Sequence, residues 1–293
     1  MPLLTVFTPT YNRKKTLKRT YESLVRQTSK DFLWLIIDDG STDDTKSAVE
    51  EWQNRDNGFE IRYCYKENGG LHTGYNKAIE LADTELMVCI DSDDYMPDNA
   101  VERICEVWRK KGSEKYGGII GLDYTEDDEV IGNMLPDTED IDLVEVSIGK
   151  IDVHGDKKQV VRTDLFKEVA PMPVYKGEKN FNPYYLIMKV ALKHKFIVMN
   201  ENLCYVDYQN DGMTANQIKQ YYNSPNSFAE LRQSSLSLPG APLKLQIRQA
   251  IHFVSSCILA KRNWYEETPK KLLTLAVSPL GWVLSKYIRY KLK

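Results

Sequence analysis

Three carboxylates crowd the end of one apolar run: residues 86–90, Leu-Met-Val-Cys-Ile, are followed at once by Asp91, Ser92, Asp93 and Asp94. Five residues this rich in β-favouring side chains read as a buried strand, which puts the acidic groups at its carboxyl end. Carboxylates this close repel one another, and a proton or a bound cation relieves the repulsion. Hard oxygen ligands select Mg²⁺ or Mn²⁺ over zinc. A turn with a helix cap uses the same residue types, and Asn99 with Glu102 has capping-box spacing. That box begins only after Pro97, so it leaves Asp91 and Asp93 unexplained.

The surrounding elements repeat one pattern four times. Residues 4–8 read as a strand, followed by the turn Pro9-Thr10-Tyr11-Asn12-Arg13 and a helix through Leu17, Tyr21 and Leu24. Residues 34–37 form the next strand, ending at Asp38-Asp39-Gly40-Ser41, where Ser41 with Asp44 predicts a cap. A third strand, 61–65, leads through Asn68-Gly69-Gly70 into a helix carrying Asn76, Ile79 and Ala82, and 86–90 is the fourth. Parallel neighbours need crossover connections, so this alternation predicts a mainly parallel sheet flanked by helices. Ligands of such sheets sit beyond the strands' carboxyl ends, and here polar, glycine-rich and acidic clusters converge there.

The second half is looser. Strands are expected at 117–122 and within 151–162, a short helix at 165–169, a helix at 183–193, and an antiparallel pair at 196–199 and 203–206. These make the sheet mixed. The polar loop 208–216 carries Asp211 and Gly212 between a strand and a helix, a usual place for function. Helices are expected at 218–236, 243–260 and 270–292, with breaks at Pro239, Pro242, Pro269 and Pro279.

Composition narrows the function. The 293 residues are 42% hydrophobic and 28% charged, as in a soluble globular protein. The net charge of −3 divides into +8 from Leu243 onward and −11 before it. An acidic body argues against nucleic acid as substrate, and a basic, aromatic tail suits an anionic membrane surface. The five cysteines form no CxxC pair, which points to reduced thiols in a cytosolic protein. No signal peptide opens the chain, and the apolar stretch 272–284 is too short to span a bilayer.

With the four strand ends in place, the chain resembles the family 2 glycosyltransferases, inverting enzymes of the GT-A (Rossmann-like) fold that use nucleotide-sugar donors. The matching stretches are TVFTPTYNR at 5–13, SLVRQTSKDFLWLIIDDGSTDDT at 23–45, NGGLHTGYN at 68–76 and DSDD at 91–94, with weaker similarity at 177–183 and 208–214. The resemblance implies an α/β catalytic domain at 1–216, donor half 1–98 and acceptor half 99–216, with a helical extension at 217–293. It places Thr8, Pro9, Tyr11 and Arg13 around the nucleotide, Asp39 on the uracil, and Gly69, Gly70, His72, Asn76, Asp91 and Ser92 around the donor. Asp93 is then the ligand of Mn²⁺ or Mg²⁺, with Asp94 in reserve.

Transfer also needs a carboxylate to take the acceptor's proton. The family's acidic pair is reduced here to Glu178-Lys179, which implies Glu178 as base, with Lys179 and Asp211 as reserve residues. Tyr75 stands where many relatives carry Arg. The implied reaction moves a sugar from a UDP-sugar to a saccharide hydroxyl. A polyprenyl-diphosphate-linked acceptor in surface-polysaccharide synthesis, at the inner face of the cytoplasmic membrane, fits the basic tail. A nucleotidyltransferase would need a basic phosphate loop after the first strand, where PTYNR stands instead. A nucleotide-sugar-binding scaffold at the membrane with a lost base is the alternative that Lys179 keeps open.

Overall fold

In the computed structural model, which describes residues 1–207 and 217–292, one eight-stranded sheet runs in the order β3-β2-β1-β4-β7-β5-β8-β6. Its first half is parallel. Strands β1 (Leu4–Thr10), β2 (Phe32–Asp38), β3 (Glu60–Tyr65) and β4 (Leu86–Cys89) alternate with helices α1 (Lys14–Val25), α2 (Thr45–Gln53) and α3 (Leu71–Leu81). Every residue of β1 and β2 is buried, because helices cover both faces of the sheet. Leu4, Val6, Trp34 and Ile36 pack on one side with Leu17 and Trp52. Phe7, Leu35 and Ile37 face the other side with Ile79, Phe166 and Phe181. Each such side chain contributes roughly 1.5–3 kcal/mol by its burial.

Helix α4 (Ala100–Lys111) leads into the mixed half. It comprises β5 (Tyr116–Tyr124), β6 (Asp140–Ile141), α5 (Leu143–Ser147), β7 (Lys157–Arg162), α6 (Thr163–Val169), α7 (Tyr184–Ala191) and β8 (Lys195–Tyr205). Strand β7 runs antiparallel to both β4 and β5 and so joins the halves. The pair of strands expected at 196–206 is a single strand, parallel to β5. Its polar middle is accommodated by register shifts and not by a turn. Asn200 exchanges two bonds with the Leu135 backbone, and Glu201 pairs with Arg103.

The chain closes with α8 (Gln217–Asn223), α9 (Pro225–Leu236), α10 (Leu243–Ala260), α11 (Trp264–Glu267) and α12 (Lys271–Lys291). Ala229, Leu236, Ala250, Phe253, Cys257 and Val277 give these helices an apolar cluster of their own. The helix expected at 218–236 divides at Pro225, which begins α9 where a missing N–H costs nothing. Pro279, expected to end a helix, lies inside α12. Its missing N–H is replaced at the Leu275 carbonyl by the Ser278 hydroxyl, 2.9 Å away. The expected Asn99–Glu102 capping box is not formed, since Glu102 accepts the Thr28 hydroxyl at 2.7 Å.

Candidate active site

The four parallel strands deliver their carboxyl ends to one edge of the sheet. At the first, Asn12 holds φ +52° and its side chain accepts the amides of Thr42 and Asp43 at 2.8 and 3.3 Å. The end of β1 is thereby stitched to the loop after β2. Tyr11 projects, 49% exposed, beside it. Pro9 packs toward Gly74. Thr8, expected near the nucleotide, turns its hydroxyl into the core, where Trp34 Nε1 donates to it at 3.0 Å. Thr8 is fully buried within β1, paired in the ladder with Ile36.

Asp39 is buried and tightly held. Its Oδ1 accepts Gly69 N at 2.9 Å and the Lys66 ammonium, and its Oδ2 accepts Gly70 N at 2.8 Å. A carboxylate has about four lone-pair directions, so about one is left for a ligand N–H. Gly70 adopts φ +93°, a backbone state that side chains rarely tolerate. His72 is fully buried 6.2 Å from the Phe181 ring, and neither ring nitrogen has a protein partner. Burial lowers its pKa, which favours the neutral imidazole. Asn76, expected on the donor, spends both ends of its amide on the Met172 backbone, at 2.8 and 2.9 Å. It braces the segment after α6. Tyr75 packs edge-on against Phe7, with burial raising its phenol well above the usual range.

The acidic loop is built on a graded burial. Asp91 is exposed, Asp93 half-buried, and Ser92 and Asp94 buried. Burial raises the Asp93 pKa and Asp91 adds to it, while Arg13 opposes. Asp94 is pushed up to about 8 by burial, with Lys158 opposing and Asp91 and Asp93 adding. Beneath the loop, Lys158 Nζ lies 3.5 Å from the buried Asp123 carboxylate. Burial works against the Lys158 ammonium, but Asp123, Cys204, Asp94 and Asp91 together hold it well above its usual range. From the other side, Arg19 of α1 donates to the Asp93 carbonyl and to Asp207 Oδ2, the latter at 2.8 Å. Its guanidinium also sits 4.9 Å from the Tyr95 ring centre.

Asp91 and Asp93 offer oxygen donors that suit Mg²⁺ or Mn²⁺. Among the described residues, no group of three or more His, Cys, Asp or Glu is arranged to hold a metal ion. The fit is therefore that of one or two carboxylates completed by oxygens of a bound diphosphate. A surface groove of about 1170 Å³ between α1 and α2 shares Asn12, Arg13 and Asp43 with the strand-end region but none of the acidic loop.

The covering segment comes from the second half. Lys179 lies against Gly70 and its ammonium donates to Asn68 Oδ1 at 2.5 Å. Glu178, expected as the base, is buried and carries four donors. Its Oε1 accepts Asn226 N and Nδ2 at 2.8 and 2.7 Å, and its Oε2 accepts Ser227 N and Oγ at 2.8 and 2.7 Å. Held this way it is an anchor for the start of α9. Asp211 falls outside the described residues. Lys66, Lys158, Arg19 and Asp207 escaped sequence reasoning; β7 reads Lys-Lys-Gln-Val-Val-Arg, so nothing in it sets Lys158 apart from its charged neighbours.

Residues 5–157 match the family model for glycosyl transferase family 2. The chain belongs to that family. It is 27% identical over 219 residues to the glycosyltransferase GlyG of Streptococcus pneumoniae, covering 69% of each chain. It is 32% identical over 123 residues to the GalNAc(5)-diNAcBac-PP-undecaprenol β-1,3-glucosyltransferase of Campylobacter jejuni, a match to 41% of this chain and 38% of that longer one. Among solved structures, S. aureus TarS 1–349 in complex with UDP-GlcNAc aligns over 99% of this chain and 92% of its own, with TM-score 0.63 and 16% identity. At that identity the likeness is one of fold, and the fold is GT-A. The glycosyltransferase family and the mixed, mainly parallel architecture are thus both as the sequence predicts.

Proposed function

We propose that the chain is a metal-dependent inverting glycosyltransferase that moves a sugar from a UDP-sugar to a hydroxyl of a lipid-linked saccharide in bacterial surface-polysaccharide synthesis. The observation that supports this best is the meeting of Asp39, Gly69, Gly70 and the acidic loop 91–94 at the ends of the parallel strands β2, β3 and β4. Tyr11, exposed beside the end of β1, offers its ring to a planar base, and Asp39 retains an acceptor direction for its ring N–H. Gly70 lets the Lys179 segment close directly over the strand ends, so the donor would bind beneath that cover. His72, buried with both nitrogens unpartnered, would recover about 1–3 kcal/mol from a donor oxygen or hydroxyl that reached it. UDP-GlcNAc is the ligand of the TarS complex, and the undecaprenol-linked acceptor in the Campylobacter enzyme's name supports a polyprenyl-diphosphate carrier.

Asp93, with Asp91 beside it, would hold Mn²⁺ or Mg²⁺. Bound there, the cation neutralises the donor diphosphate and the charge that develops on the departing UDP. Arg19 and Lys158 keep the loop in place from either side. The acceptor hydroxyl must lose a proton as it attacks the anomeric carbon. Glu178 can take it only after release from Asn226 and Ser227. On this assignment residues 1–98 hold the donor, 99–216 the acceptor, and 217–293 form the helical extension. Binding without turnover is a second reading, favoured by the four donors on Glu178 and by Lys179 next to it.

The deciding experiment is thermal stabilisation by a panel of UDP-sugars with Mn²⁺, with Mg²⁺ and with chelator, followed by a transfer assay. A shift with one UDP-sugar and metal is expected, lost with chelator and in Asp93→Ala. No shift with any nucleotide sugar overturns the proposal. A shift without transfer or donor hydrolysis selects the second reading.

A further inference from the structure

Helix α12 packs in one direction only. Its buried residues Thr274, Val277, Gly281, Ser285 and Ile288 recur every three or four positions and define one face. That face is fixed by close approach: a Cβ on Gly281 would lie 2.6 Å from Val254 Cβ and 3.0 Å from the Ile251 carbonyl of α10. The opposite face is apolar yet exposed. Leu272 is 86% exposed, Leu280 56%, Trp282 53%, Val283 56%, Tyr287 47% and Tyr290 76%. At 3.6 residues per turn these fall on one broad arc, with Lys271 and Arg289 along one border, Lys291 along the other and Lys286 within it beside Trp282. Helix α12 carries no acidic residue.

We infer that this face of α12 docks on an anionic lipid surface, with the helix lying in the plane of the interface. An apolar stripe bordered by basic residues and carrying Trp and Tyr matches the two layers of a membrane interface, apolar beneath and anionic above. Lys286 lies 5.2 Å over the Trp282 ring and Lys291 5.8 Å over the Tyr287 ring, which sets charge and aromatic body side by side. Crossing is excluded for α12, since no helix among the described residues is long and apolar enough. A second copy of the chain is disfavoured as occupant because pairing these faces would bring like charges together. Charge also sets the orientation: +8 from Leu243 onward turns toward anionic lipid and −11 in the rest turns away. This deepens the lipid-linked reading of the acceptor, although it stands on α12 alone.

The test is flotation of the full chain with vesicles of phosphatidylcholine, alone or mixed with phosphatidylglycerol, at low and high salt. Binding to the mixed vesicles, weakened by salt, is expected. Lys286→Glu with Arg289→Glu should weaken it at least about tenfold, and Trp282→Glu should abolish it. All these positions are exposed, so folding is retained, and stabilisation by UDP-sugars in the same variants should match the wild type. That control separates a failure of the docking surface from a failure of the donor reading. Equal binding to neutral vesicles, or no binding to either, overturns the inference. So does a dimer in sedimentation that Trp282→Glu converts to monomer.

Discussion

A Cβ built on Gly70 would lie 2.0 Å from the carbonyl oxygen of Lys179. The loop that follows β3 and the segment that covers the site from the second half thus touch backbone to backbone. Gly70 also gives its N–H to Asp39 at 2.8 Å, so one residue joins the second strand end, the glycine loop and the cover.

Gly70→Ala should therefore do more than strain one torsion. The φ of +93° with ψ 165° costs a non-glycine residue about 1–3 kcal/mol, and the Lys179 backbone has no side-chain freedom with which to yield. A lower Tm is expected together with at least a tenfold loss of UDP-sugar affinity, read by calorimetry. Wild-type values in both would mean that the cover does not rest on Gly70 in solution.

Glu178 separates two roles by two measurements. As the anchor of α9, its loss strands the buried amides of Asn226 and Ser227. Glu178→Ala should then cost about 2–3 kcal/mol of stability. Turnover per folded molecule should fall less than tenfold. A general base would behave oppositely: Glu178→Gln would leave Tm nearly unchanged and cut kcat by a factor on the order of 100 or more. The four donors lead us to expect the first pattern.

The site was legible in sequence where it is local and opaque where it is tertiary. Strand ends announce themselves, so the acidic loop, Asp39 and the paired glycines could be found from apolar runs followed by polar clusters. The groups that hold them come from elsewhere. Lys157 and Lys158 are neighbours in β7, yet Lys157 donates to the carbonyls of Ile131 and His154 while Lys158 faces Asp123. Strand alternation sends them to opposite faces, but nothing in the sequence says which face meets the acidic loop. Arg19 reads as one more polar position on an amphipathic helix, and its bond to Asp207 spans 188 residues. Thr8 and Asn76 sit within recognised motifs, and their neighbours in space, Trp34 and Met172, decide their work. The same holds for residues 200–202, whose polarity suggests a turn until Leu135 and Arg103 supply partners.

Arg19 is next. It grips the acidic loop through the Asp93 carbonyl and Asp207, with Tyr95 beneath it. Arg19→Ala should loosen the loop and raise the Kd for UDP-sugar by about tenfold, since a hydrogen bond to a charged group contributes about 1.5–3 kcal/mol. Arg19→Lys should recover little of this, because an ammonium cannot reproduce the planar fork or its stacking on Tyr95. Full recovery by lysine would reduce the role to net charge.

The helical extension carries its own pH sensitivity. His252 of α10 is held down to about 4 by burial, with Arg232 and Arg248 adding to the effect. In the unfolded chain it takes a proton near pH 6.5, in the native protein only near 4. Between those values the unfolded state binds more protons, so stability falls as pH drops through this window and is unaffected by His252 above it. The imidazole is partly exposed, so screening limits its share to about 1–2 kcal/mol. Carboxylates held low by neighbours, such as Asp140 beside Lys195 and Lys115, destabilise in the same direction on acidification, though at a lower pH. Comparison with His252→Gln cancels them, since both proteins contain them. The two Tm curves should run together above pH 7, diverge between about pH 6.5 and 4 with the wild type falling faster, and run parallel below. Curves parallel throughout would mean that His252 meets solvent freely, and that the packing of Tyr221 at 5.8 Å does not shield it.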